Sequence, residues 1–151
     1  MSRVKKLFSG SAILLIISAV LFGRLAYMNI RSDDPMPYGF SQYEEAAFLE
    51  AQASGATILV DVYASWCPTC LSQHKVLEGL LQDPSYTNVI GFRVDYEGDP
   101  DFVRQHKVPA QSTIIMFNGE DEISRTVGVT SDSGIRAQVN DAVAKNSASI
   151  S

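Results

Sequence analysis

The sequence predicts an α/β domain with a mixed central sheet and helices on both faces, preceded by one apolar N-terminal helix. Three observations carry this. Helical and strand patterns alternate along the chain, one strand is an almost continuous apolar run, and the last two strands meet in a hairpin. At 151 residues, 46% hydrophobic and 19% charged, the chain has room for one domain and an appendage. That composition excludes both a disordered chain and a multi-span membrane protein.

Leu7 to Gly23 carry no charge, and the stretch from Ala12 to Phe22 is densely apolar. As a helix Leu7 to Gly23 would span roughly 25 Å, close to the ~30 Å hydrocarbon core of a bilayer. Arg3, Lys5 and Lys6 precede the run, which places the N-terminus in the cytoplasm and everything after Arg24 outside. Leu21 to Ala26 offer no clean small-residue cleavage site. Residues 1–28 therefore read as an uncleaved signal anchor in the inner membrane, with the domain in the periplasm. The alternative is a removed signal peptide and a secreted, soluble periplasmic protein. Residues 29–37, with Asp33, Asp34, Pro35 and Pro37, read as a tether, 38–146 as the domain, and 147–151 as a flexible tail.

The first 31 residues hold five basic side chains and no acid, leaving 7 basic against 17 acidic residues and a formal charge of −10 beyond them. So acidic a body argues against nucleic acid as a partner, because phosphate binding needs a basic face.

Within the body, Ser41 and Glu44 form a capping-box pattern, and helical spacing from Tyr43 to Ala53 predicts the first helix. Thr57 to Ala64 is the continuous apolar strand, interrupted only by Asp61. Leu71, Val76, Leu77, Leu80 and Leu81 predict a helix closed at Asp83-Pro84, and Asn88 to Asp95 a second strand. Asp99 and Pro100 start a short helix through His106. Thr113 to Phe117 is a third strand, Asn118-Gly119 the hairpin signal, and Glu122 to Gly128 the returning strand. A last helix runs from near Ser131 to about Lys145.

Two cysteines are too few for a disulfide scaffold, and both stand in Trp66-Cys67-Pro68-Thr69-Cys70, between a buried strand and a helix. A thiol at a helix N-terminus faces unpaired N–H groups and the positive end of the helix dipole, which makes Cys67 the candidate nucleophile. Pro68 suits the first helical position. The two-residue gap puts Cys70 one turn deeper, within disulfide reach, as the candidate resolving thiol. Asp61, six residues before Cys67, is a candidate proton acceptor for Cys70 if buried, and a solvent-facing side chain if it sits at a strand edge. Trp66 can shield the pair and shape a substrate surface. A structural zinc site would have only His74 and His106 to complete it. The alternative with chemical substance is an envelope copper(I) chaperone, since two soft thiolates suit that ion.

The run from Val60 to Cys70, V-D-V-Y-A-S-W-C-P-T-C, resembles the thioredoxin superfamily, and the resemblance covers roughly residues 38–145 in element order and spacing. C-P-T-C with His74 behind it resembles membrane-anchored bacterial thioredoxin-like proteins, including those that reduce apocytochrome c. It equally resembles the periplasmic domain of transmembrane disulfide reductases. The resemblance implies a thioredoxin fold, disulfide exchange with protein substrates, attack by Cys67, resolution by Cys70 and assistance from Asp61. It further implies that Trp66, Pro68, Gln111 and Ser112 meet the substrate, that a membrane electron-transfer partner recharges the protein, and that no cofactor or metal takes part. Thr69, in place of the histidine of strongly oxidising relatives, implies a reductase.

The sequence departs from that family in two places. Thioredoxins carry a cis-proline just before the strand corresponding to Thr113 to Phe117. Here Ser112 stands there and Pro109 lies three residues earlier, so either the loop is rearranged or Ser112 itself faces the cysteines. Gly91 falls roughly where many thioredoxins place a lysine near the buried acid, which predicts a differently tuned proton relay.

Overall fold

The structure is a computed structural model that describes residues 14–23 and 35–149. Residues 14–23 are helical, with Leu14, Leu15, Val20 and Phe22 exposed. The rest of the expected anchor and residues 29–34 of the expected tether lie outside the described residues. Among the described residues, no helix is long and apolar enough to cross a membrane.

Residues 35–149 build a five-stranded sheet from Phe40–Gln42 (β1), Thr57–Tyr63 (β2), Val89–Asp95 (β3), Thr113–Asn118 (β4) and Asp121–Val127 (β5). The order across the sheet is β1-β3-β2-β4-β5. β1 and β2 run parallel to β3, while β4 is antiparallel to β2 and β5 to β4. The sheet is thus mixed, and β2, with neighbours on both sides, is buried along its whole length. Four helices cover it: Glu45–Ala53 (α1), Pro68–Leu80 (α2), Pro100–Gln105 (α3) and Asp132–Ser149 (α4).

The capping box at Ser41 does not form. The open edge of β3 takes up residues 40–42 as an extra parallel strand, with the Tyr43 N–H donating to Arg93 O at 2.8 Å. Ser41 Oγ then donates to Gly91 O, and α1 starts at Glu44 without a side-chain cap. Three residues with no alternation give a strand no pattern of its own, so β1 exists only because β3 offers the pairing edge. Gly91 is where this edge packs tightest. A Cβ there would lie 2.9 Å from Phe40 Cδ1 and from Leu81 Cδ1, so glycine lets the ring of Phe40 and the end of α2 close over β3. At the other end of the chain, α4 runs four residues past Lys145, into the expected tail. The hydroxyls of Ser147 and Ser149 turn back to donate to Val143 O and Asn146 O.

Alternation along β2 divides the core. Ile58, Val60 and Val62 point to one face, where they meet Phe48 and Ala51 of α1 and Phe102 of α3. Leu59 points to the other, toward Leu77 and Leu80 of α2 and Ile135, Val139 and Ala142 of α4. By the same alternation Asp61 and Tyr63 lie on the α2 side, where the cysteines are. The α1 face is held by aromatic contacts centred on Phe48, whose ring meets Phe92, Phe102 and Phe117 edge-to-face and Tyr43 at a tilt, at centroid distances of 5.5–5.8 Å. Phe48→Ala removes the centre of that cluster and is expected to cost about 3–5 kcal/mol, read as a lower midpoint of urea unfolding with little change in slope.

Candidate active site

Cys67 is the N-cap of α2. Its backbone is extended, at φ −91° and ψ 114°, Pro68 takes the first helical position, and the Cys70 N–H donates to Cys67 Sγ at 3.3 Å. The helix therefore begins on a sulfur in place of the usual hydroxyl or carboxylate oxygen. Cys70 sits one turn deeper. Both thiols are free and buried, packed with Tyr63 and Ala64 from the end of β2. Trp66 remains exposed beside them, as does Pro68, while Gln111 is half-buried in the loop that enters β4.

Of the two alternatives for Ser112, the structure selects the second: Ser112 itself faces the cysteines. Its Oγ lies 3.1 Å from Cys67 Sγ and 3.1 Å from Cys70 Sγ. The residue adopts φ +62°, a left-handed conformation unusual outside glycine, and among the described residues no peptide bond is cis. Three hydrogen bonds impose this turn. The Ser112 N–H donates to Val62 O at 2.8 Å, a bond that proline cannot make, and Ser112 O accepts from Gly128 N–H at 2.8 Å and from Gln73 Nε2 at 3.1 Å. Gln73, fully buried on α2, also donates to Val129 O at 2.9 Å. The redox helix, the end of β2 and the two loops flanking β4 and β5 thus converge on one serine. Neither Gln73 nor Gly128 stood out in the sequence, because a glutamine at a core-facing helical position signals only a buried polar residue.

The surroundings split the two thiols. Burial pushes Cys67 up, but hydrogen bonds from the Cys70 and Ser112 side chains and from the Cys70 and Thr69 backbone outweigh it, leaving the thiol below its ordinary 9.0. Burial also pushes Cys70 up, and there the hydrogen bond it gives to Cys67 adds to the effect, so that it reaches about 11. One sulfur is set up to carry charge and the other to hold its proton.

Asp61 is buried in the middle of the sheet, 1% exposed, and so is not a solvent-facing edge residue. A basic neighbour for it stands two residues beyond Gly91. Arg93 stands opposite Asp61 in the β2–β3 register, and its Nε donates to Asp61 Oδ2 at 3.3 Å. The Arg93 guanidinium stacks on the ring of Tyr63 at 4.3 Å and donates through Nη2 to His74 Nδ1 at 2.8 Å. The two histidines are far apart in role. His74 belongs to this buried network, whereas His106 packs among Phe48, Phe102 and Phe117, where burial lowers its pKa. Among the described residues no group of three or more His, Cys, Asp or Glu side chains gathers as a metal site.

Ser112→Ala deletes a hydrogen bond to the Cys67 sulfur, and alkylation of Cys67 by iodoacetamide at neutral pH is expected to slow on the order of tenfold. In the unaltered protein, one equivalent should react at neutral pH and the second only as pH approaches the Cys70 value of about 11. A thiol lowered in the fold stabilises above 9.0 and loses that contribution as pH falls through its folded value. One that is raised stabilises below 9.0 and loses its contribution as pH climbs towards about 11.

The thioredoxin family model matches residues 40–141. Thioredoxin from Chlamydia trachomatis is 32% identical over 82 residues, covering 54% of this chain and 78% of that protein. Thioredoxin from Mycobacterium tuberculosis is 26% identical over 91 residues, covering 60% and 78%. The crystal structure of Trxlp from Edwardsiella tarda shares 38% identity at a TM-score of 0.65, covering 66% of this chain and 97% of that one. Mitochondrial thioredoxin 3 of Saccharomyces cerevisiae, 20% identical with a TM-score of 0.60 over 68% of this chain and 94% of that one, shares the fold. With the match spanning the sheet and both cysteines, the chain belongs to the thioredoxin family and is a thiol-disulfide oxidoreductase.

Proposed function

We propose that this oxidoreductase works as a reductase of protein disulfides at the cell envelope, held to the inner membrane by residues 1–28. The observation that carries the redox half of this reading is the division of the two sulfurs around Ser112 Oγ. The Cys67 thiolate attacks a substrate disulfide, forming a mixed disulfide and expelling one substrate thiolate. Cys70 then gives up its proton to Asp61 and attacks the Cys67 sulfur, releasing the second thiolate and leaving a Cys67–Cys70 disulfide. We assign to Trp66, Pro68 and Gln111, which are accessible, and to Ser112 against the sulfurs the contact with a substrate strand. The protein returns to the dithiol form by exchange with a membrane electron-transfer partner. Arg3, Lys5 and Lys6 ahead of the apolar run support the topology, with the redox domain on the periplasmic side. Thr69 between the cysteines supports the reducing direction, and apocytochrome c is a substrate in keeping with the C-P-T-C pattern.

Cys67→Ser is expected to abolish reduction of insulin disulfides, whereas Cys70→Ser should accumulate mixed disulfides that can be recovered from envelope fractions. An active Cys67→Ser protein would overturn the mechanism. Recovery of cytoplasmic partners alone would overturn the location. Stoichiometric copper(I) binding with negligible exchange would favour the copper chaperone instead.

A further inference from the structure

Arginine binds carboxylates best through one edge of its fork, with Nε and Nη2 donating together to the two oxygens. Here that edge is divided. Nε goes to Asp61 at 3.3 Å, a long bond for a charged pair, and Nη2 goes to His74 Nδ1 at 2.8 Å. An arginine nitrogen can only donate, so His74 Nδ1 accepts and carries no proton, which makes the ring neutral with its hydrogen on Nε2. The guanidinium is fixed in this divided position from below by Tyr63. His74 lies on α2, one turn beyond Cys70, so the same helix that presents the resolving thiol also restrains the cation.

We propose that His74 is a positioning residue for the resolution step: by occupying Nη2 of Arg93 it keeps the arginine from closing its fork on Asp61, and so preserves the carboxylate as an acceptor for the Cys70 proton. The proposal rests on the proton role assigned to Asp61 above. The step it serves is balanced. The Cys70 S–H gives its proton to Asp61, its sulfur forms the bond to Cys67 Sγ, and the Cys67–substrate S–S bond breaks with both electrons leaving on the substrate sulfur. Without the His74 acceptor, Arg93 gains a second donor for Asp61, and the tighter pair is a poorer base. The first step draws on Cys67 and the donors around it, which include neither Arg93 nor His74, and is untouched.

A symmetrical nitrothiobenzoate disulfide separates the two steps, because each releases one coloured thiolate: the first on attack by Cys67, the second on resolution by Cys70. With the reduced full-length chain under rapid mixing, His74→Leu is expected to leave the first release within about twofold and to slow the second about tenfold. His74→Asn, whose amide oxygen can replace Nδ1 as acceptor, should restore the second release. In an Arg93→Lys background, which has no fork to close, His74→Leu should produce no further slowing. His74→Ala removes the acceptor with less bulk and stands in if the leucine variant does not fold. Unchanged second release in the acceptor-less variant, equal slowing of both releases, failure of asparagine to restore, or equal slowing in the lysine background would each overturn the proposal. Asp61→Asn serves as the separate control. If it leaves the second release at full rate, the proton role of Asp61 fails. If it slows that release while His74→Leu does not, only the positioning role falls.

Discussion

A hydroxyl has one proton to give, and the site is organised around where Ser112 gives it. Equidistant from both sulfurs, the Ser112 hydroxyl can donate to either. The sulfur that receives the donated proton is favoured as thiolate, and the one that donates is favoured as thiol. Because Cys70 gives its S–H to Cys67, and the Cys70 N–H and the helix dipole act there too, the outcome is decided: Cys67 receives and is favoured as thiolate, while Cys70 donates and is favoured as thiol. A proline at this position would offer neither donor nor acceptor to the sulfurs. The backbone bonds to Val62, Gly128 and Gln73 are therefore part of the chemistry, since they keep φ at +62° and the hydroxyl between the thiols.

Beneath this pair lies a second polar group that a sheet interior would normally exclude. A buried ion pair is seldom worth more to stability than the apolar residues it displaces, and breaking one by removing a single partner costs several kcal/mol. Asp61 and Arg93 are 1% and 4% exposed, and the arginine is compensated three ways, by the carboxylate, the Tyr63 ring and His74. Such compensation makes the pair tolerable without making it an ornament of stability. Its place on the α2 side of β2 puts a carboxylate on the face where the cysteines lie, with its charge balanced in a low-dielectric interior.

The parts of the fold legible in the sequence were those with a period or a punctuating residue. The apolar run of β2, the proline starts of α2 and α3, and the Asn118-Gly119 hairpin each carry a local physical cause, and each element stands within a few residues of its expected place. β1 had no such cause, and its pairing with β3 drew Ser41 out of the expected cap. At the site the cysteine motif was legible, because a helix start acts on whatever thiol occupies it. Arg93 was not. An arginine in the middle of a strand reads as a solvent-facing residue, and which position opposes Asp61 is a matter of register, set by the whole sheet. Gln73 and His74 were hidden for the same reason, since their partners lie 39 and 19 residues away in sequence.

These adjacent polar residues on α2 explain how a site with so little room keeps its geometry. Successive positions on a helix point about 100° apart, so Gln73 and His74 cannot share a partner. Gln73 reaches the Ser112 and Val129 carbonyls and so ties the helix to the serine between the thiols, whereas His74 reaches Arg93 on β3 and acts on the buried ion pair. An apolar side chain at Gln73 would fill the same space with non-directional contacts, which tolerate small shifts of the serine loop. Such a shift would move Ser112 Oγ relative to the sulfurs, and the hydrogen bond it gives to Cys67 is one of those that hold that thiol below its ordinary value. Directional bonds from α2 are thus the means by which a serine, lacking the rigid ring of proline, can hold its place between the cysteines.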